Sequence, residues 1–258
     1  MKELTFIDTH AHIYADAFQD DRDTVINNAL NVNVHKIVLP NIDVNSMSGM
    51  LALQIKYPEI CYATIGLHPC DVKENYKNIL NEFESQIQNP IFIGIGETGT
   101  DAYWDLSNWE AQKLAFITQL EWAKSSSKPI IIHSRNSLDE NIKLVQSQQN
   151  GKVSGVFHCF GGNLEQAKQI IDLGFYLGIG GTISYKNNPL KEVISKIPLS
   201  SILLETDSPY LSPVPFRGKR NEPSYIPIIA STLAQFYQCP IDEIALQTTQ
   251  NANKLFQF

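Results

Sequence analysis

The sequence predicts an α/β protein folded as a TIM-type (β/α)8 barrel, with residues 1–258 forming a single domain. The chain has 258 residues, a length that α/β barrels often use for one domain. Eight short β-rich runs alternate with stretches of helical length, as such a barrel requires. Several runs, such as Ile130–Ile132, are apolar at successive positions, which is typical of parallel strands covered on both faces. A doubly wound open sheet with an extra layer is the alternative that this pattern leaves open.

The predicted strands are bounded by changes in composition along the chain. In order, they are Leu4–Ile7, Lys36–Leu39, Tyr62–Gly66, Ile91–Ile95, Pro129–Ile132, Gly155–Phe157, Tyr176–Ile179 and Ile202–Leu204. After the eighth strand, two further helices at about Tyr225–Tyr237 and Ile241–Phe256 would complete the outer ring. The glycines around Ile179 do not have dinucleotide-binding spacing, and they favour a close approach of the seventh strand to a site or turn.

Two capping-box patterns predict where helices begin, because the first polar side chain can accept a hydrogen bond from the backbone three residues later. Ser107–Glu110 predicts the start of a helix that continues to about Lys124. Asn163–Gln166 predicts the start of a helix that ends at Leu173, with Gly174 as the stop signal.

Composition and charge exclude several classes of protein. The net charge of −7 excludes a generally basic surface for nucleic acid, so a polyanionic ligand would need a local positive site. The four cysteines are scattered, which favours free thiols in a reducing compartment. An acid within the short apolar run of Met1–Asp8 argues against a signal peptide, and the chain has no apolar run of ~18 residues. We therefore expect a soluble cytoplasmic protein with no membrane partner and no obligate protein partner.

Polar side chains gather where the predicted strands end. Five of the six histidines lie at or just past a strand's carboxyl end: His10, His12, His68, His133 and His158. Three acids, Glu97, Glu205 and Asp207, occupy equivalent positions. Catalytic groups of barrel enzymes lie at this rim, so residues far apart in sequence should converge there.

The convergence predicts a metal site. His10 and His12 are two residues apart, so in an extended segment both imidazoles face the same side, although hydrogen-bonded core histidines would give the same pattern. The candidate ligands together are His10, His12, Glu97, His133, His158 and Asp207. Six such groups exceed the needs of one tetrahedral zinc, so we infer two divalent ions bridged by Glu97, whose strand lies between those of the histidines. The donors suit Zn, Mn, Fe or Ni, and Mg, Mn or Zn are the candidate ions.

A set of short segments is spread in order over practically the whole chain: Asp8–His12, Gly66–Pro69, Gly96–Asp101, Ile132–Arg135, Phe157–Gly162, Glu205–Tyr210 and Arg217–Pro223, with Asn251–Ala252 and Leu255–Phe256 near the end. This ordered set resembles the motifs of the TatD family of metal-dependent hydrolases. The resemblance implies a TIM-type barrel with metal-dependent phosphoesterase activity, typically on DNA, and it favours trimming from the 3′ end. Cys70, Thr100 and Asn136 depart from the family pattern, which bears on substrate and rate more than on metal binding.

The resemblance also implies how the ligands divide. His10, His12, Glu97 and Asp207 would hold one ion, and Glu97, His133 and His158 would hold the other. Glu97 would then take the bridging position that a modified lysine has in many related hydrolases.

Three residues are candidates for catalysis. Asp207 could orient the attacking water and accept its proton, or it could act purely as a ligand. His68 could contact phosphate or donate a proton, or be a structural histidine held by Pro69. Glu205 is more suited to orienting a ligand histidine than to direct catalysis. Asp101 could organise its loop, and Cys159 is expected in the core because it alternates away from His158 in an extended strand.

Basic and aromatic residues near the rim are candidate substrate contacts. Arg217, Lys219 and Arg220 follow the eighth strand, where barrels often bind phosphate, although the segment could also be a solvated loop. Arg135 follows the fifth strand and is a second phosphate candidate. Three aromatic side chains, Tyr103, Trp104 and Tyr210, could stack on bases or simply pack.

These observations leave three functions open. The leading hypothesis is a metal-dependent hydrolase that cleaves phosphodiester bonds of DNA, as a 3′–5′ exonuclease on single strands or ends. The second is a C–N or ester hydrolase, such as an aminoacyl-tRNA deacylase, that uses the same metal-activated water on a carbonyl. The third is a non-enzymatic metal-binding scaffold on a decayed barrel.

Overall fold

A computed structural model describes residues 4–258 of the protein. Its eight strands are parallel and form one sheet in the order β1 to β8. They are β1 Phe6–Asp8, β2 Val34–Leu39, β3 Cys61–Ile65, β4 Phe92–Asp101, β5 Ile130–Arg135, β6 Gly155–Phe157, β7 Tyr176–Ile179 and β8 Ile202–Leu204. Hydrogen bonds from Thr9 N to Leu204 O (3.0 Å) and from Asp207 N to His10 O (2.8 Å) join the last strand to the first. The predicted (β/α)8 barrel is therefore confirmed, and an open doubly wound sheet is excluded.

Nine α-helices of the described chain pack around this sheet. They are α1 Arg22–Asn31, α2 Val44–Lys56, α3 Tyr76–Glu84, α4 Trp109–Ser126, α5 Leu138–Gln148, α6 Leu164–Asp172, α7 Leu190–Ile194, α8 Ile226–Tyr237 and α9 Ile241–Phe256. Over residues 4–258, no helix combines the length and apolar character needed to cross a membrane. The first three residues of the segment used to argue against a signal peptide lie outside the described residues.

The predicted element bounds are right for β6, β7, β8 and α9, and wrong at several other ends. β1 begins at Phe6 rather than Leu4, and β4 and β5 continue beyond their predicted ends to Asp101 and Arg135. The two extensions pair with each other, from Thr98 opposite Ile132 to Asp101 opposite Arg135. This pairing gives a strand conformation to residues whose polar, glycine-rich sequence favours a loop.

One of the two predicted capping boxes forms. The Asn163 side chain accepts from Gln166 N at 3.0 Å, and the Gln166 side chain accepts from Asn163 N at 2.9 Å. The box predicted at the start of α4 is wrong, because Asn108 is the N-cap of that helix and makes no side-chain cap. Ser107 N instead donates to Asp105 Oδ1 at 2.8 Å, in the loop before the helix.

An apolar layer lies beneath the polar rim. Ile7, Val38, Ile131, Val156 and Leu203 form a buried cluster with Ala252, Leu255 and Phe256 of α9. Because side chains alternate along a strand, Ile131 shares a face with His133 in β5. The interior of the barrel is therefore apolar beneath the ends of the strands and polar at their carboxyl ends. Barrel enzymes place their catalytic groups at these carboxyl ends.

Candidate metal centre

The segments after β1 and β8 and the strand β4 form the first half of the site. His10 Nε2 lies 3.2 Å from Glu97 Oε2 and 3.7 Å from Asp207 Oδ1. His12 Nε2 lies 3.5 Å from each of the same two oxygens and 3.1 Å from His10 Nε2. Each of the two imidazole nitrogens thus lies within 3.7 Å of one oxygen of Glu97 and one oxygen of Asp207, and these groups come from three parts of the chain.

The other oxygen of Glu97 faces the second half of the site. Glu97 Oε1 lies 2.9 Å from His158 Nε2, 3.0 Å from His133 Nδ1 and 3.5 Å from His68 Nε2. The two oxygens of one carboxylate therefore face different imidazoles, although the His10 ring stacks on the His158 ring with a centroid distance of 3.9 Å. This is the relationship that a bridging ligand requires, and the Glu97 side chain is only 3% exposed.

Tyr14 fixes which nitrogen of His12 carries the proton. The Tyr14 hydroxyl donates its hydrogen to Pro40 O at 2.5 Å, and its oxygen lies 2.8 Å from His12 Nδ1. Since the hydroxyl hydrogen is already used, His12 Nδ1 must be the donor in this contact. The lone pair of neutral His12 is therefore on Nε2, which faces Glu97 and Asp207.

Asp101 has the same effect on His133. His133 Nε2 donates to Asp101 Oδ2 at 2.9 Å, which leaves the lone pair on Nδ1, the atom beside Glu97. The other Asp101 oxygen accepts from the backbone N–H groups of Tyr103 and Trp104, at 2.8 and 3.1 Å. Burial raises the pKa of Asp101, but the hydrogen bonds from His133 and from these two amides outweigh it and lower the pKa to about 2.

His68 differs from His12 and His133 because it turns an N–H, rather than a lone pair, towards Glu97. Its Nδ1 accepts from the backbone N–H of Cys70 at 3.2 Å, so in the neutral ring the proton is on Nε2. That N–H faces Glu97 Oε1 and the cavity. His68 therefore presents a hydrogen-bond donor where His12 and His133 present lone pairs.

Glu205 lies behind His158. Its Oε1 accepts from Cys159 N at 2.5 Å and is 3.6 Å from His158 Nδ1. A Cβ at Gly178 would overlap the Glu205 carboxylate, so the glycine in β7 leaves the space that this acid occupies. The contact with His158 is the one expected of a residue that orients a ligand.

The interpretation of Cys159 as a core residue is wrong. The backbone turns at this position, with φ of +48°, because the strand β6 has ended at Phe157. The alternation of an extended strand therefore does not apply, and Cys159 lines the cavity beside His158.

The backbone around Asp207 is held by Asp8. Asp8 Oδ1 accepts from Thr206 N at 3.0 Å and from His10 N at 3.2 Å, and Oδ2 accepts from the Thr206 hydroxyl at 2.5 Å. Asp8 thus contacts the backbone of a candidate ligand rather than its ring. Burial raises the pKa of Asp8 to about 8 against the effect of these hydrogen bonds.

The side chains of this cluster fit a cation. His12 Nε2 presents its lone pair 3.5 Å from an oxygen of Glu97 and 3.5 Å from an oxygen of Asp207, and clustered acceptors in a largely buried site are costly without a positive partner. His10 is fully buried, and its Nδ1 has no hydrogen-bond partner among the described residues. Burial alone would raise the pKa of Glu97, but His158, His10 and His68 lower it well below 4.5, so the carboxylate is charged. Nitrogen and oxygen donors without a required thiolate match the divalent first-row metals.

A cavity of about 800 Å³ opens over the cluster. Arg135 lines it and is exposed, and no carboxylate among residues 4–258 lies within ion-pair distance (4.0 Å) of its guanidinium. The three basic residues after β8 that were predicted to bind substrate do not line this cavity. Arg220 instead forms an ion pair with Asp21, with N–O distances of 2.8 and 2.6 Å, and Arg217 lies over the Tyr185 ring at 4.4 Å. Lys219 is exposed and, like these two arginines, does not line the cavity.

Sequence reasoning missed Tyr14 and the contact between Asp101 and His133. Tyr14 follows His12 by two residues, so the alternation that linked His10 with His12 could have indicated it. Asp101 was assigned only to loop organisation. The contact of Asp101 with His133 depends on the extension of β4, which the sequence does not signal.

Comparisons with known proteins show the family to which the chain belongs. The family model described as TatD related DNase matches residues 7–257. The YabD protein of Bacillus subtilis (strain 168), named an uncharacterized metal-dependent hydrolase, is 37% identical over 251 residues, which cover 97% of this chain and 98% of YabD. A protein of Edwardsiella piscicida named 3′-5′ ssDNA/RNA exonuclease TatD is 30% identical, over 93% of this chain and 95% of its own.

A solved structure of a TatD homologue also matches nearly the whole chain. The crystal structure of YjjV, a TatD homologue from Escherichia coli K12, superimposes with a TM-score of 0.92 at 32% identity, and the match covers 98% of each chain. The family match spans nearly all of the chain, and the barrel carries at its rim the histidines and carboxylates that a metal-dependent hydrolase needs. The chain therefore belongs to the TatD family of metal-dependent hydrolases.

Proposed function

We propose that this protein hydrolyses phosphodiester bonds of DNA, as a 3′–5′ exonuclease that acts on single strands or ends. The observation that carries the proposal is the position of Arg135, an unpaired guanidinium at the edge of the cavity that opens over Glu97. A neutral ester or amide has no need of such a cation, whereas a phosphodiester carries the charge that it would bind. The name of the Edwardsiella piscicida relative, a 3′-5′ ssDNA/RNA exonuclease, supports the same substrate class.

The proposal includes two divalent ions. His10, His12, Glu97 and Asp207 would hold one, and Glu97, His133 and His158 would hold the other, with Mg, Mn or Zn as the candidate metals. When bound, such ions lower the pKa of water towards ~7 and stabilise negative charge on the attacking and leaving oxygens. Tyr14, Asp101 and Glu205 each contact the far side of one histidine and so orient it.

Asp207 is the proposed general base. Its carboxylate contacts the His10 and His12 nitrogens and also lines the cavity, so it can reach a water that lies between the cluster and the substrate. Its backbone N–H is held by His10 O at 2.8 Å, and its φ of +56° turns the chain at this residue. The side chain is therefore fixed relative to the histidines, which favours proton transfer over a short distance.

His68 and Arg135 are the proposed contacts to the reacting phosphate. The proton on His68 Nε2 is available to a phosphate oxygen or to the leaving oxygen, because Nδ1 is already engaged by the Cys70 amide. Arg135 can donate two parallel hydrogen bonds to a phosphate. Together they would fix the scissile bond above Glu97 before the bond breaks.

Strand labelling tests this function. A single-stranded oligonucleotide labelled at its 5′ end should give a ladder of progressively shorter products in the presence of Mg, Mn or Zn, whereas a 3′ label should be released at once as a mononucleotide. A chelator should abolish both results, and a blunt duplex should be cut much more slowly. Intact oligonucleotides together with rapid hydrolysis of a neutral aryl ester would instead favour the C–N or ester hydrolase. No hydrolysis of either substrate by the metal-loaded protein would favour the scaffold.

A further inference from the structure

Exposed hydrophobic side chains are concentrated on two loops that contribute residues to the lining of the cavity over Glu97. Ten large hydrophobic side chains are exposed in residues 4–258, and six of them lie on the loop between β4 and α4 or on the loop after β8. These six are Tyr103, Trp104, Leu106, Tyr210, Leu211 and Val214. All three aromatic members of the ten are among them, and Trp104 and Tyr210 are 66% and 60% exposed.

Both loops are anchored to residues of the metal centre. Asp101 accepts from the backbone N–H groups of Tyr103 and Trp104 with one oxygen and binds His133 with the other. On the other loop, Tyr210 N donates to Asp207 O at 2.8 Å, and the Tyr210 ring lies 6.4 Å from the His12 ring, centroid to centroid. The backbone that carries the exposed rings is therefore hydrogen-bonded to residues of the site.

A cation accompanies the aromatic rings. The Arg135 guanidinium lies 3.9 Å from the Tyr103 ring centroid and 5.1 Å from that of Trp104. Trp104, Tyr210 and Arg135 all line the cavity that opens over Glu97. A π face next to an unpaired cation matches a ligand that joins a flat aromatic group to an anion, and a nucleotide has this composition.

We propose that Trp104 and Tyr210, with Arg135 held against Tyr103, form a nucleobase subsite that positions an unpaired terminal nucleotide by stacking. This inference rests on the proposed function and names the part of the substrate that the rim recognises. The faces of a base are covered by its neighbours in a duplex, so only an unpaired nucleotide offers them to Trp104 and Tyr210. Every base has such faces, so the subsite tolerates all four bases.

Base removal combined with substitution tests the subsite. The probes are two fluorescent single strands of equal length and charge with phosphorothioate linkages, which resist cleavage. One strand carries all its bases, and the other lacks the bases of its three 3′-terminal nucleotides. Dissociation constants are measured by anisotropy for the metal-loaded wild-type protein, Trp104→Ala, Tyr210→Ala and Leu246→Ala. Leu246 is 56% exposed on α9 and belongs to neither loop, so it is the matched control.

The wild-type protein and Leu246→Ala should bind the complete strand about tenfold more tightly than the strand without terminal bases. Trp104→Ala and Tyr210→Ala should lose most of this difference because they bind the complete strand more weakly. Tryptophan fluorescence gives a second readout, because Trp104 is exposed whereas Trp122 is only 3% exposed and Trp109 is partly buried. The complete strand should therefore quench the fluorescence of the wild-type protein, and this quenching should disappear in Trp104→Ala.

Equal binding of the two strands by the wild-type protein, or a full tenfold preference in both aromatic variants, would overturn the subsite. Absence of binding to either strand would overturn it as well. Cleavage of an ordinary oligonucleotide is followed in parallel. Cleavage without a base preference in binding would sink the subsite alone, and a base preference without cleavage would sink the proposed exonuclease alone.

Discussion

His133 donates from Nε2 to the Asp101 carboxylate at 2.9 Å, so the nitrogen that it presents to Glu97, at 3.0 Å, is Nδ1. The orientation of this imidazole therefore depends on an acid that lies at the end of β4, four residues after Glu97. The same acid holds the backbone of Tyr103 and Trp104. One carboxylate thus links a candidate ligand to the rim of the cavity.

Replacement of Asp101 by alanine should weaken metal binding by about 10- to 100-fold, because His133 loses the acceptor that fixes its tautomer and orientation. Competition with a chromophoric chelator would measure the affinity. Asp105→Ala is the control, since this exposed acid of the same loop accepts from Ser107 N and contacts no site histidine. Metal affinity in Asp101→Ala equal to that of the control would contradict the orienting role.

Replacement of Tyr14 by phenylalanine should lower metal affinity about tenfold, because the variant removes the oxygen that accepts from His12 Nδ1. It should also cost about 1–3 kcal/mol of unfolding free energy, since Pro40 O loses its donor in a buried position. Tyr237→Phe is a matched control, because its hydroxyl donates to Ile197 O at 3.0 Å and does not contact any site histidine. The control should lose stability but bind metal normally, and equal metal affinities in the two variants would refute the role of Tyr14.

Two of the three arginines assigned to substrate from the sequence, Arg135 and Arg220, should behave differently. Arg135→Ala should raise the KM for an oligonucleotide about tenfold, because it removes a cation that lines the cavity without an acidic partner. Arg220→Ala should leave the KM unchanged, because its guanidinium pairs with Asp21 rather than lining the cavity. Steady-state kinetics with one oligonucleotide compares them directly, and a larger KM effect in Arg220→Ala would reverse the assignment.

The ion pair between Asp21 and Arg220 should make a small, pH-dependent contribution to stability. The hydrogen bond from Arg220 lowers the pKa of Asp21 below its usual 3.8. A carboxyl whose pKa is depressed by folding stabilises the folded protein above its unfolded pKa, and the effect is lost as the pH falls through the folded value. Since both side chains are partly exposed, we expect Asp21→Asn to cost less than about 1 kcal/mol at pH 7.

Urea unfolding of Asp21→Asn and the wild-type protein at pH 7 and at pH 2.5 would measure the contribution. The difference in free energy should be present at pH 7 and should shrink at pH 2.5. A difference that stays constant between these pH values would show that the charge of Asp21 is not its source.

The barrel could be predicted from the sequence because its strands are short, apolar and regularly spaced. The ends of β6, β7 and β8 were predicted correctly, and in each case the apolar run stops where polar or glycine residues begin. The extension of β4 could not be predicted. Gly96 and Gly99 favour a loop by composition, and pairing with β5 makes this segment a strand.

The candidate ligands could be nominated from the sequence because parallel strands of a barrel direct their carboxyl ends to one rim. The supporting contacts depend on details that alternation along a strand does not give. Cys159 turns into the cavity through a left-handed backbone conformation, and Arg220 pairs with an acid 199 residues away in the chain. Neither feature has a local signal in the sequence.

Anomalous diffraction from a crystal soaked in manganese or zinc would show whether Glu97 bridges two divalent ions through its two oxygens. We expect two metal peaks per chain, each about 2.0–2.2 Å from a different oxygen of Glu97, with the His10 and His12 nitrogens at one and the His133 and His158 nitrogens at the other. A single peak, or two peaks of which one or both lack Glu97 as a ligand, would refute the bridging role of Glu97.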